Sequence, residues 1–152
     1  MVRSGLASIT QDKSKGSNSV IRILIVDDSA AVREGLSSFL EMAEGMEPVG
    51  TASDGLEAVE KARQLLPDVV LMDAQMQNIG GIEATRIIKK EFPNIGVLFF
   101  STYSDYRDDA LAADADGYLV KDCEVRELLD KVRQIAAANS GSNETKDQGA
   151  YR

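Results

Sequence analysis

Short apolar runs alternate along the chain with segments whose apolar residues recur at helical spacing. Ile21–Val26 is a nearly continuous aliphatic run, typical of a strand buried on both faces. Similar runs begin near Pro48, Val69, Ile95 and Gly117. Each is followed by a segment with helical periodicity, clearest at Val125 and beyond, where apolar residues recur three and four apart. Five strand–helix repeats predict an α/β fold: a doubly wound parallel sheet with helices on both faces and right-handed crossovers.

Composition divides the chain into one domain and two polar ends. Residues 1–19 and 139–152 are rich in small polar and charged residues, and we expect both to be disordered, with residues 20–138 forming the folded domain. No stretch approaches the roughly 20 apolar residues of a membrane span. The single Cys123 fits a reducing compartment. These features predict a cytoplasmic protein that does not enter the membrane.

The charge balance is acidic, with 17 Lys and Arg against 25 Asp and Glu, a formal net charge of -8. A face that binds a phosphate backbone requires the opposite sign of charge. We therefore expect no direct nucleic-acid binding by this chain. A short, acidic fourth helix is predicted at about Asp105–Ala113. Its residues Asp105, Asp108 and Asp109 are most simply interpreted as a solvent-exposed helix face.

Polar residues that could bind a ligand or react come directly after four of the predicted strands. Asp27 and Asp28 follow the first strand, Asp73 the third, Ser101 the fourth and Lys121 the fifth. Because ligands bind at the carboxyl ends of parallel strands, these side chains are expected to converge. Three close carboxylates repel by roughly 4 kcal/mol per pair at an effective dielectric near 20. Mg²⁺ is the natural counter-ion for them. A carboxylate can accept a phosphoryl group whose charge the metal, an ammonium and a hydroxyl neutralise.

Four segments, ILIVDDS, VVLMDAQM, FFST and DGYLVKD, resemble the signature strand ends of response-regulator receiver domains. The resemblance covers about residues 21–138, and GYLVKD is most similar to receivers of the NarL/LuxR class. It implies the flavodoxin-like or CheY-like strand order 2-1-3-4-5. It also implies a phosphorylation-dependent switch of two-component signalling, which catalyses only its own phosphotransfer and dephosphorylation.

Carried over residue by residue, the resemblance assigns three kinds of role. It implies that the acceptor Asp73 is assisted by Ser101 and Lys121. It implies that Mg²⁺ is bound by the side chains of Asp27, Asp28 and Asp73 and by the backbone carbonyl of Gln75. It implies that Ser101 and Tyr118 form the switch, with the tyrosine ring moving into space behind Ser101 on phosphorylation.

The same resemblance implies the partners. A sensor histidine kinase or phosphotransfer protein would donate the phosphoryl group. The output would be a downstream protein or a DNA-binding domain absent from this chain, with homodimerisation on phosphorylation as a further expectation. Because the fourth helix is acidic, we expect the target to present basic residues there.

The sequence departs from the family pattern after the acceptor and near the fourth helix. Gln77 stands where proline is common, and Gly80-Gly81 stands where Asp-Gly or Asn-Gly is usual. Asp114 stands where receivers often have glycine, and the interval between Ser101 and Lys121 is shorter than usual. These departures leave the proposed phosphorylation residues intact.

Other interpretations remain open at this point. Singly, Asp27 and Asp28 could be a helix cap, and Tyr118 could be ordinary core packing. A receiver-like module that no longer uses phosphorylation would lack part of the acidic and lysine set, which is complete here. A Mg²⁺-dependent phosphatase with an aspartyl nucleophile would need Asp-x-Asp after the first strand, where this chain has Ser29. A transcription factor would need a helix-turn-helix, and none is predicted after residue 138.

Overall fold

The computed structural model describes residues 19–149, with side chains described for residues 19–140. The predicted extension over residues 1–19 lies outside the described residues except for Ser19. The five strands are β1 (Ile21–Val26), β2 (Met46–Ala52), β3 (Val69–Met72), β4 (Gly96–Ser101) and β5 (Gly117–Val120). The helices are α1 (Ala30–Met42), α2 (Gly55–Leu65), α3 (Gly81–Glu91), α4 (Arg107–Ala112) and α5 (Val125–Gly149).

The strands form one parallel sheet in the order β2-β1-β3-β4-β5. This confirms the predicted α/β doubly wound fold and the strand order 2-1-3-4-5. The register between β1 and β2 shifts after Ile23, which lies opposite Pro48. Proline has no amide hydrogen to donate to a neighbouring strand. On an edge strand this loss costs the sheet little, because one side of that strand has no neighbour.

Side chains that point alternately to the two faces of the sheet form two hydrophobic cores, one on each face. Leu24 and Val26 of β1 belong to the core against which α2, α3 and α4 pack. Ile23 and Ile25 belong to the core that receives α1 and α5. Because side chains of a strand alternate between faces, a continuous aliphatic run supplies both cores at once.

Side-chain caps fix where the first two helices begin. The Ser29 hydroxyl accepts a hydrogen bond from the Val32 amide at 3.3 Å, and an Asp54 carboxylate oxygen accepts one from the Glu57 amide at 2.8 Å. The Glu57 carboxylate accepts from the amide of Ser53, the residue before the cap, which adds a second side-chain hydrogen bond at this helix start. The chain thus turns from strand to helix within a few residues, which keeps polar residues at the strand ends near the sheet.

Two helices differ in extent from the sequence prediction. Helix α4 is shorter than predicted at both ends, and Asp114 after it has φ 73°, a left-handed conformation that glycine favours and aspartate tolerates better than most residues. Helix α5 continues to Gly149, past the boundary predicted at residue 138. The division into a domain and a disordered tail over residues 139–152 stays a prediction. In the described part of the chain, no helix has the length and apolar content to cross a bilayer.

Candidate functional site

Three carboxylates meet at the carboxyl end of the sheet. The Asp27 amide donates to the Ala52 carbonyl of β2 and the Asp73 amide to the Val26 carbonyl of β1, so sheet bonding positions both residues. One carboxylate oxygen from each of Asp27, Asp28 and Asp73 lies within 4.8 Å of the others. Asp27 and Asp73 are buried and Asp28 is exposed. We call these three residues the acidic cluster; it opens to solvent on the side of Asp28.

One lysine reaches the acidic cluster from β5. The Lys121 ammonium lies 2.6 Å from Asp27 Oδ2 and 4.0 Å from Asp73 Oδ1. The Lys121 amide donates to the Ser101 carbonyl at 2.7 Å, which holds the end of β5 against the end of β4. A single ammonium faces three carboxylates, so the cluster keeps an excess of negative charge.

Burial and this excess of negative charge together raise the pKa of Asp73. Burial raises the pKa of its carboxyl, the negative charge of Asp27 raises it further and Lys121 opposes the increase, which leaves a pKa of about 6 against the ordinary 3.8. Loss of hydration and like charge both disfavour the ionised form. A cation that joined the cluster would relieve both effects, and three carboxylate oxygens are hard-cation ligands.

The acidic cluster lies in one open pocket together with the other predicted residues. Ser101 is buried, and its hydroxyl oxygen accepts from the Tyr103 amide at 3.4 Å. Six predicted residues line this pocket: Asp27, Asp28, Asp73, Gln75, Ser101 and Lys121. The structure therefore brings together residues from four strand ends. Their roles, including metal ligation by the Gln75 carbonyl, stay predictions.

Tyr118 lies behind the pocket rather than in it. Its ring is buried and stacks on Phe99 at a centroid distance of 5.8 Å and an interplanar angle of 9°. Its hydroxyl donates to the Tyr103 carbonyl. The stack and the hydrogen bond hold the ring inward, toward the core. Its movement on phosphorylation stays a prediction.

The loop after β3 is held without the proline that Gln77 replaces. The Asn78 side-chain amide donates to Asp54 Oδ2 at 2.6 Å, and the Gly55 amide donates to the Ile79 carbonyl at 3.0 Å. At Gly81 a Cβ would lie 2.1 Å from the Asp73 carbonyl oxygen, closer than any side chain could tolerate. This glycine permits α3 to begin directly against the proposed acceptor.

Sequence reasoning missed three contributors. The Arg33 guanidinium donates to the Asp27 carbonyl at 2.6 Å. Tyr103 provides the backbone groups that bond both Ser101 and Tyr118. The Arg107 guanidinium lies over the Tyr118 ring, 5.1 Å from its centroid. Arg107 had one available signal, since it is the sole cation between residues 102 and 116; a backbone acceptor such as Tyr103 leaves no compositional signal.

Comparison with known proteins decides the family. The model of the response regulator receiver domain matches residues 23–133. The chain belongs to this family. It is 40% identical over 118 residues to the transcriptional regulatory protein LnrK of Bacillus subtilis (strain 168), which covers 76% of this chain and 54% of that protein. It is 38% identical over 122 residues to the response regulator VraR of Staphylococcus aureus (strain N315), covering 79% and 58% respectively.

Solved structures agree in fold. The response regulator domain of Thermotoga maritima CheB superposes with a TM-score of 0.72 at 39% identity, over 78% of this chain and 97% of that one. A LuxR-family response regulator from Aurantimonas sp. SI85-9A1 gives a TM-score of 0.75 at 36% identity, over 79% and 87%. This supports the resemblance to NarL/LuxR class receivers. The chain spans little more than half the length of the curated relatives described above.

Proposed function

We propose that this receiver accepts a phosphoryl group on Asp73 and so switches a signalling surface. The observation that carries the proposal is the acidic cluster, three carboxylate oxygens within 4.8 Å with one lysine between Asp27 and Asp73. Such an excess of negative charge destabilises the folded state, and groups perturbed in this way cluster at functional sites. Its place at the carboxyl end of a parallel sheet is where α/β proteins bind ligands.

Mg²⁺ fits this site. The side chains of Asp27, Asp28 and Asp73 and the backbone carbonyl of Gln75 would hold it. When bound, it would neutralise the carboxylates and the charge on the transferring phosphoryl group.

The chain's own residues divide the remaining work. An ionised Asp73 oxygen forms the bond to phosphorus as the bond from phosphorus to the donor's imidazole nitrogen breaks, which yields an acyl phosphate. The Lys121 ammonium, 4.0 Å from Asp73 Oδ1, pairs with the phosphoryl oxygens. The Ser101 hydroxyl donates to another of these oxygens, a charge-assisted bond stronger than its long contact to the Tyr103 amide.

The partners follow from this chemistry. We infer that the donor is a sensor histidine kinase or a phosphotransfer protein and that the exchange occurs in the cytoplasm. The output is a downstream protein or a DNA-binding domain, in keeping with relatives that are nearly twice as long. Phosphorylated receivers could also pair as homodimers through the switched surface.

Intact-mass measurement after treatment with acetyl phosphate and Mg²⁺ tests the proposal. We expect the wild-type chain to gain one phosphoryl group and Asp73→Asn to gain none. Asp109→Asn, which removes an exposed carboxylate from α4, should be modified as the wild type is. Phosphorylation that persisted in Asp73→Asn would place the acceptor elsewhere and overturn the assignment.

A further inference from the structure

The ring of Tyr118 is enclosed by two different side chains. Phe99, which is fully buried, stacks on it from the core. Arg107, which is exposed, places its guanidinium over the ring 5.1 Å from the centroid. The ring therefore lies between the core and a cation, a geometry in which the negative face of the aromatic ring attracts the guanidinium.

Arg107 is well placed to transmit the position of this ring. It is the first residue of α4, and no side-chain hydrogen bond caps that helix at its start. Among the described residues, the Arg107 guanidinium pairs with no carboxylate, although Asp108 and Asp109 adjoin it in sequence. The contact with Tyr118 is thus its specific interaction in the described part of the chain.

The ring is also connected to the pocket. The Tyr118 hydroxyl donates to the Tyr103 carbonyl, while the Tyr103 amide donates to the Ser101 hydroxyl oxygen at 3.4 Å. One residue of backbone therefore lies between the two proposed switch side chains. A side chain that fixes the ring also restrains this backbone.

We propose that Arg107 is a positioning residue that holds the Tyr118 ring inward and couples the first turn of α4 to the phosphoryl site. This inference rests on the proposed function, because it requires that phosphorylation favour the inward ring. Coupling between two sites is reciprocal. If the guanidinium stabilises the state that a phosphoryl group prefers, its removal must weaken the binding of a phosphoryl mimic.

The test combines beryllium fluoride titration in Mg²⁺ with fluorine NMR of chains labelled with 3-fluorotyrosine. The Tyr118 resonance is assigned by its loss in Tyr118→Phe. Arg107→Met keeps the apolar stem and removes the charge, so it should shift the Tyr118 resonance and weaken beryllium fluoride binding about two- to fivefold. Arg107→Lys keeps a cation and should give values between those of wild type and Arg107→Met.

Two controls separate this role from a general effect of charge or folding. Arg126→Met removes another exposed arginine, from α5, and should match wild type in both measurements. In a Tyr118→Leu background, Arg107→Met should have no additional effect on binding, because the ring through which it acts is gone.

The outcomes are distinct. An unchanged Tyr118 resonance and unchanged affinity in Arg107→Met would overturn the inference, as would an equal loss of affinity in the Tyr118→Leu background. If the wild-type chain itself failed to bind beryllium fluoride with Mg²⁺, the proposed function would fall, and with it the coupling. The resonance would then still report whether Arg107 holds the ring.

Discussion

The two ends of the sheet carry partly buried charge in opposite ways. At the amino end, the Lys89 ammonium donates to the Pro93 carbonyl at 3.1 Å, the Ile95 carbonyl at 3.0 Å and Asp116 Oδ2 at 2.9 Å. The same carboxylate oxygen accepts from the Val97 amide at 2.8 Å. Here one cation meets one anion, and every donor of the ammonium has an acceptor. We call Lys89 and Asp116 the amino-end pair.

At the carboxyl end, the acidic cluster has three carboxylates and one ammonium. Its charges do not balance, and the pKa of Asp73 is raised to about 6 by burial and by Asp27. The contrast teaches that a partly buried charge does not by itself indicate function. Balanced charge with complete hydrogen bonding stabilises the fold, whereas excess charge of one sign leaves capacity for a ligand.

The largest change in the free energy of unfolding is expected when the amino-end pair is broken. Lys89→Met should lower the free energy of unfolding by about 2–3 kcal/mol, because three hydrogen bonds from a largely buried ammonium are lost. Urea denaturation measures this. Arg86→Met on the same helix removes an exposed arginine that pairs with Glu83, and should cost about 0.5 kcal/mol or less. Equal losses in the two variants would contradict the structural role of the pair.

Removing a charge from the acidic cluster should instead increase the free energy of unfolding. Asp73→Asn should raise the free energy of unfolding of the metal-free protein by about 2 kcal/mol at pH 8, because ionising Asp73 in the folded state is costly. Asp109→Asn is the matched control and should change little. Saturating Mg²⁺ should stabilise wild type and reduce the difference. A destabilised Asp73→Asn would show that the charges of the cluster are balanced after all.

The difference in stability between wild type and Asp73→Asn should depend on pH. The folded-state pKa of Asp73 is raised from 3.8 to about 6, so the folded chain binds this proton more tightly than the unfolded chain. The corresponding stability is present below about pH 4 and is lost as pH rises through about 6. Denaturation midpoints of wild type and Asp73→Asn should therefore converge near pH 4 and separate as pH rises to 7. A constant separation would assign the effect to another cause.

The smallest effect is expected on Mg²⁺ affinity when Asp28, the exposed residue of the acidic cluster, is replaced. Asp28→Ala should weaken Mg²⁺ binding about tenfold, which is about 1.4 kcal/mol, because Asp28 is a proposed ligand. Asp109→Ala removes a carboxylate of α4 and should leave the affinity unchanged. Isothermal titration with Mg²⁺ alone measures both. Equal affinities would mean that proximity within 4.8 Å does not produce a metal site that uses Asp28.

The sequence predicted the fold and the members of the acidic cluster because both depend on local pattern. The aliphatic run Ile21–Val26 has the bounds that the structure shows, since burial on both faces leaves little choice of residue. The position of Asp27 and Asp73 immediately after strands is equally local. Parallel topology then brings the strand ends together, so convergence follows without knowledge of side-chain geometry.

What the tertiary structure decided concerns groups whose partners are distant in sequence and lack a side-chain signature. The inward position of Tyr118 depends on the Tyr103 carbonyl and on the guanidinium of Arg107. A backbone acceptor can belong to any residue, and an isolated arginine in an acidic segment has many alternatives in solvent. Likewise, Asp116 and Lys89 were indistinguishable in sequence from solvated charges, and packing alone paired them. Local periodicity determines elements and their order, while the balance of charge at each end of the sheet exists only after the chain has folded.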